Sequence, residues 1–174
     1  MTYLGTNLCP EDYYSQHSNS YVNGQEDAVV QLVEVLTPEF YNMNVVDLGC
    51  GAGLATKTLQ DRGYPNTFIG IDSSPEMIKR YEKERQCEGG VRNFWQELPS
   101  CDVILACHCL HLCPDERLYQ AKTSIIESGA RYMIMTSPNK NLIEKFDFHV
   151  YEYLYAISGE KKKRVHGWRV KVKL

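Results

Sequence analysis

No run of apolar residues in this chain is long enough to cross a bilayer, and the opening MTYLGTNLCPEDYY lacks a basic stretch followed by an apolar one. From these absences neither a membrane-spanning helix nor an export leader is expected, and a cytoplasmic protein is. No Cys-x-x-Cys pair occurs, so the usual two-pair frame of a structural zinc site is missing. The seven cysteines, an odd number without an export signal, read as reduced thiols and not as a disulfide framework. Internal repeats and low-complexity segments are lacking too. What remains is an ordinary globular composition, with 24% charged residues over 174 positions, long enough for one domain with a real core.

Charge is unevenly spread. The net charge is -3, yet residues 158 to 174 carry seven Lys and Arg against Glu160 alone. A basic tail of this kind can contact the phosphates of a nucleic acid, or it can blunt a sheet edge against aggregation. With Trp168 as almost its only aromatic and no RNA module in the chain, the solvated edge is the favoured reading and nucleic acid is not.

The most informative stretch is Val45-Val46-Asp47-Leu48-Gly49-Cys50-Gly51-Ala52-Gly53. An apolar strand enters a turn of alternating glycines, and Leu54, Ala55 and Leu59 then read as a helix to about residue 62. A strand passing through a glycine-rich turn to a helix N-terminus makes a nucleotide-type site in open α/β sheets. The dinucleotide fingerprint Gly-x-Gly-x-x-Gly is out of step here, because position 54 is Leu. Asp47, just before the turn, would repel a phosphate and suits a ligand carrying an ammonium and a sulfonium. The run Thr67-Phe68-Ile69-Gly70-Ile71-Asp72 follows, ending in an acid that could accept both ribose hydroxyls.

These two segments, with Ser73-Ser74-Pro75-Glu76-Met77-Ile78, resemble the first two motifs of the class I S-adenosylmethionine-dependent methyltransferases. The resemblance implies S-adenosyl-L-methionine as cofactor. Gly49, Cys50, Gly51 and Gly53 would hold its methionine part with Asp47 near the ammonium. Asp72 and Ser73 would hold the ribose, and Met77 with Asn93 or Phe94 would lie beside the adenine. Phe94 as plain core is the alternative. Leu110 to Asp115 is similar to the segment after strand four of the family's small-molecule enzymes, so a small-molecule methyl acceptor is expected. Cys107, His108 and His111 fall at that mouth, and the two histidines are candidate bases for a proton lost by the acceptor. Each could instead cap a helix or bond the backbone. Residues 1–24 resemble an N-terminal arm that folds over the cofactor and donates Tyr14 and Tyr21, with Tyr14 also a catalytic candidate; a tail with tyrosines tucked into grooves is the other reading. Cys107, Cys109, His111 and Cys113 invite a metal. None is expected, since four ligands from one strand and turn cannot easily surround an ion.

The rest of the pattern predicts a single Rossmann-like doubly wound α/β sheet over 25–174. It has seven strands, mostly parallel, with a C-terminal antiparallel β-hairpin. Val29, Leu32, Val33 and Leu36 mark a helix from Gln25 to Leu36. Pro75 opens a helix through Tyr81 that dissolves into Glu82-Lys83-Glu84-Arg85. Strands are expected at Val91–Trp95, Cys101–Cys107, Ala130–Thr136, Phe148–Ile157 and Val165–Leu174, the last half-buried. Between them Pro114 opens a helix facing Leu118, Ala121, Ile125 and Ile126 inward, and Leu142 to Phe146 form a short one. Nothing in the sequence specifies an oligomeric state.

Overall fold

A computed structural model describes residues 25–37, 41–159 and 162–172. The arm expected over 1–24, with Tyr14 and Tyr21, lies outside the described residues. The elements follow in the order α1 (Glu26–Leu36), β1 (Asn44–Leu48), α2 (Leu54–Asp61), β2 (Thr67–Asp72), α3 (Pro75–Arg85), β3 (Glu88–Val91) and β4 (Val103–Cys107). Then come two single 3₁₀ turns (Leu110–Leu112 and Asp115–Arg117), α4 (Leu118–Glu127), β5 (Tyr132–Ser137), α5 (Leu142–Phe146), β6 (His149–Ile157) and β7 (Arg164–Lys171).

They build one seven-stranded sheet in the order β3-β2-β1-β4-β5-β7-β6. The first five strands are parallel, and β7 runs antiparallel to both β5 and β6. The expected doubly wound sheet with an antiparallel C-terminal hairpin is therefore the observed fold. Chain order reverses between β1 and β4, and the crevice at such a switch point is where open α/β sheets take their ligands.

Alternate side chains serve the two faces. Val46, Ile104 and Met133 pack under α4 and α5 with Ala121, Ile125, Leu142 and Phe146. Val45, Phe68, Val103, Leu105 and Ile134 pack under α1 and α2 with Val29, Leu32, Val33, Leu36, Ala55 and Leu59. The period of 3.6 in α1 thus reports a real buried stripe.

Several local expectations are corrected. Helix α3 does not dissolve after Tyr81 but continues to Arg85. Its charges pair along the surface, with Arg80 on Glu84 (2.6 Å) and Lys79 on Glu76 (2.9 Å), and Gln86 ends it in a left-handed conformation. The third strand is Glu88–Val91, not 91–95. Gly89 lies so close under α3 that a Cβ there would meet Ile78 at 2.8 Å, and Asn93 to Gln96 close a turn. Ile126 faces out, 37% exposed. Strand β7 is not a half-buried edge but an interior strand with both faces covered, and β6 is the edge. Period-2 alternation could not show this, because Arg169 is itself buried and paired with Glu152 at 3.3 Å.

Candidate active site

The turn after β1 is held from below. The amides of Gly49 and Cys50 both donate to the carbonyl of Ile71 at the end of β2 (2.7 and 3.0 Å). Gly49, Gly51 and Gly53 all have positive φ, at 65°, 51° and 84°. Two of these positions do different work. A Cβ on Gly49 would stand 2.3 Å from Cβ of Cys109, whereas one on Gly51 would meet nothing within 4 Å. Gly49 is therefore bare because the β4 loop lies against it, and Gly51 looks onto open space. Gly49→Ala is expected to cost about 2–4 kcal/mol in urea unfolding through overpacking and left-handed strain. Gly51→Ala should cost about 1–2 kcal/mol. Equal losses at the two positions would refute the assignment.

That open space is a cavity of about 580 Å³, within the range of small-molecule and cofactor sites. Asp47, Gly49, Cys50, Gly51, Gly53, Asp72, Ser73, Met77, Asn93, Phe94, Cys107 and His108 all line it, so the structure brings twelve of the sequence-predicted residues together. His111 does not line it. Glu26 and Val29 of α1 and Arg80, Glu84 and Arg85 of α3 join the wall without a sequence signal that singled them out.

The two carboxylates differ in setting. Asp72 stands at the tip of β2, where Oδ2 accepts from the Gly51 amide (3.0 Å) and Oδ1 from the Ser74 amide (2.9 Å). Asp47 is buried, 2% exposed, and points into the layer under α2. Its Oδ2 accepts from both the amide (3.3 Å) and the hydroxyl (2.7 Å) of Thr56, which lies 3.0 Å from the Tyr81 hydroxyl. Burial pushes the Asp47 carboxyl up to about 7, against the Thr56 bonds and with help from the charge on Asp72. A cation delivered into the cavity would return it to the ionised form. Thr56 and Tyr81 were invisible as site residues in the sequence, since each is ordinary in its helix.

The histidines also separate. His108 adopts φ 56°, with its amide donating to the Thr136 carbonyl (3.0 Å). Its Nδ1 lies 3.1 Å from Thr136 Oγ1 and its Nε2 2.7 Å from Gln25 Oε1. A glutamine oxygen only accepts, so Nε2 carries the proton and the Nδ1 lone pair is taken by the threonine hydroxyl. Burial, then His111, lowers its pKa to about 4. His108 is thus a neutral brace joining β4, β5 and the start of α1, with no lone pair left to act as the expected base. His111 is different. Its buried Nδ1 has no partner among the described residues, and burial lowers its pKa to about 4 as well.

The cysteines do not converge. Cys109 Sγ contacts the Leu48 carbonyl (3.0 Å) on one side of the sheet, and Cys107 packs into the core on the other. Burial raises both thiols, and that of Cys113 to about 11, so all three are protonated at neutral pH. Among the described residues no three His, Cys, Asp or Glu side chains gather as a metal site.

Residues 45–128, just under half of the chain, match the family model described as a methyltransferase domain. The chain is 40% identical over 75 residues to a trans-aconitate 2-methyltransferase of Escherichia coli, covering 41% of this chain and 29% of that one. It is 33% identical over 98 residues to one of Rhodococcus jostii, covering 55% and 38%. The chain thus spans about a third of the length of these curated relatives. In fold it is similar to the N-methyltransferase NodS from Bradyrhizobium japonicum in complex with S-adenosyl-L-homocysteine, with TM-score 0.79 and 12% identity over 94% of this chain and 98% of that one. The glycine turn and the acid at the tip of β2 lie within a stretch, residues 45–128, that matches a methyltransferase domain, and the seven-stranded sheet with its antiparallel β7 is similar in fold to that methyltransferase structure.

Proposed function

We propose that this protein binds S-adenosyl-L-methionine and transfers its methyl group to a small-molecule acceptor. The observation that carries the reading is the cavity itself, floored by bare backbone at Gly51 and flanked by two carboxylates of unlike character. Asp72 presents two oxygens suited to a pair of ribose hydroxyls, while its amide partners hold it still. Asp47 is buried without a cation partner among the described residues, and an ammonium would supply one. Phe94 and Met77 offer the apolar walls an adenine needs, and Asn93 an amide for its exocyclic amine.

When bound, the sulfonium supplies an already activated methyl, so the chain's task is alignment and exclusion of water. Both nitrogens of His108 are engaged and His111 stands off the cavity lining with its Nδ1 buried, so methyl transfer leans on alignment and not on a histidine base. Tyr14 and Tyr21, in the arm of residues 1–24, are assigned to completing the site. The small-molecule acceptor is supported by the size of the cavity, about 580 Å³, and by the acceptor in the names of the trans-aconitate methyltransferases.

Titration calorimetry with S-adenosylhomocysteine and with NAD tests the cofactor. Binding of the thioether nucleoside alone is expected; binding of NAD alone would overturn the proposal. A labelled-methyl screen of metabolite extracts then identifies the acceptor.

A further inference from the structure

The two edges of the sheet are unlike. Strand β3 is four residues long, and Glu82 of α3 covers it by accepting from the Gly89 amide (3.1 Å). Strand β6, at the other edge, runs for nine residues, and among the described residues no other backbone pairs with its outer side. Edge strands are normally blunted by lysine, by proline or by shortness. This one carries no lysine and no proline, and its single carboxylate, Glu152, is engaged by Arg169 at 3.3 Å. The bulge between Val150 and Glu152 disturbs one end and leaves Glu152 to Ile157 regular.

Apolar exposure is concentrated on the same strand. Of the ten large apolar side chains exposed among the described residues, five lie on β6, from Tyr153 at 37% to Tyr151 at 62%. The register on β7 puts Tyr153 and Tyr155 on the face of Trp168 and His166. Tyr153 is fixed in place there. Its ring lies 6.0 Å from that of His166 and 5.8 Å from that of Trp168, and its hydroxyl is 2.8 Å from His166 Nδ1. On this face Lys140 lies 5.8 Å from the Tyr153 centroid and Arg164 4.4 Å from that of Tyr155. A preorganised aromatic row beside an open backbone edge is a template for one more strand.

We propose that β6 is a self-association edge, to which a second copy of this chain adds its own β6 antiparallel, joining two seven-stranded sheets into one. Symmetry favours a second copy over a foreign strand. A two-fold axis normal to the sheet keeps each face on its own side, so the strand must complement itself. With the axis at Leu154, Tyr153 of each protomer stands opposite Tyr155 of the partner subunit, at the about 5 Å spacing of cross-strand pairs. Two aromatic pairs thus form on one face. Glu152, already paired within its own sheet, meets only Ala156 of the partner subunit. The six regular residues span about 20 Å, and such a contact, about 1,000 Å² in total, lies at the small end of protein interfaces. A micromolar dissociation constant is expected.

Charge separates the two kinds of partner. In the dimer, Lys140 and Arg164 of both protomers gather on one face and repel, so added salt should tighten it. An acidic foreign strand would be loosened by salt instead.

Sedimentation equilibrium of the whole chain up to about 100 μM, at low and at high salt, tests the edge. A monomer–dimer equilibrium is expected, with a dissociation constant several-fold lower at high salt. Tyr155→Lys removes both aromatic pairs and adds a charge beside Arg164, and should raise that constant by about tenfold or more. Circular dichroism reports that the variant is folded. Cross-linking reads the register. In Leu154→Cys the two thiols face each other across the axis, within the about 4.4–6.8 Å between Cα atoms that a disulfide needs, and oxidation should give a covalent dimer. In Ile157→Cys they lie about 20 Å apart and should not join. The unmodified chain, with its seven cysteines, is the baseline for both. A chain that stays monomeric in both salts overturns the proposal, as does a dimer that loosens with salt or survives Tyr155→Lys. Equal cross-linking at the two positions overturns the pairing about Leu154. None of these readouts involves the cofactor, so they stand or fall apart from the methyltransferase reading.

Discussion

Asp47→Asn is expected to make the ligand-free protein more stable above neutral pH and, in the same stroke, to remove most of its cofactor affinity. The folded-state pKa of Asp47, about 7, lies above its ordinary 3.8. For an acid shifted upward, the contribution to stability is full below about pH 4 and is lost as pH rises toward 7. By pH 8 the buried charge costs about 4 kcal/mol, an upper figure from the three-unit shift. Asparagine never ionises, and both Thr56 bonds fall on one oxygen, Oδ2, which an amide carbonyl can replace. Thermal unfolding should therefore separate the two proteins at pH 8, with the variant higher, and bring them together near pH 4. Binding moves the other way. Removing one partner of a buried charge pair costs about 3–5 kcal/mol. That predicts an S-adenosylhomocysteine affinity lower by a hundredfold or more. The unmodified protein should likewise bind more weakly as pH falls below 7, because the carboxyl must then lose a proton to meet the ammonium. A variant that binds normally, or melts lower at pH 8, would show that Asp47 is not the ammonium's counter-charge.

Asp72→Ala should be as damaging to binding, with the opposite effect on stability. Two charge-assisted bonds to ribose hydroxyls are worth about 1.5–3 kcal/mol each. Their loss corresponds to an affinity drop of about a hundredfold or more. The same change strips the Gly51 and Ser74 amides of their acceptor, so the turn loosens and unfolding free energy should fall by about 1–3 kcal/mol. Asp72→Asn, which keeps one good acceptor, should fall between. Calorimetry and urea unfolding on the same samples separate the two effects. Undiminished nucleoside affinity in the alanine variant would remove Asp72 from the ribose site.

The damage differs because one carboxylate is half-buried and accepts from two backbone amides, one on each oxygen, whereas the other is buried and accepts from Thr56 on a single oxygen. Asp72 is solvated in part and receives two N–H donors, which suit a permanent charge. Asp47 has two bonds from one threonine on a single oxygen and lies inside the helix layer, so its charge is tolerable only when a cation arrives. Cofactor binding is therefore expected to release a proton at Asp47.

Whatever depends on neighbours in the chain was settled by the sequence alone. The glycine turn, the acid ending β2, the apolar stripe of α1 and the alternation of parallel strands with helices are short-range patterns, each dictated by a backbone period or a steric need. They sufficed for the fold and for twelve residues around one cavity. Tertiary structure decided the rest, because it turns on partners far along the chain. His108 became a brace through Thr136 and Gln25, 28 and 83 residues away. Asp47 acquired its raised pKa from the depth at which α2 buries it. The basic strand that looked like an edge was drawn inside the sheet when β6 paired on its outer side, leaving the tyrosines of β6 exposed beside Lys140 and Arg164. Alternation along a strand reports which residues share a face, but only the pairing of strands determines what that face meets.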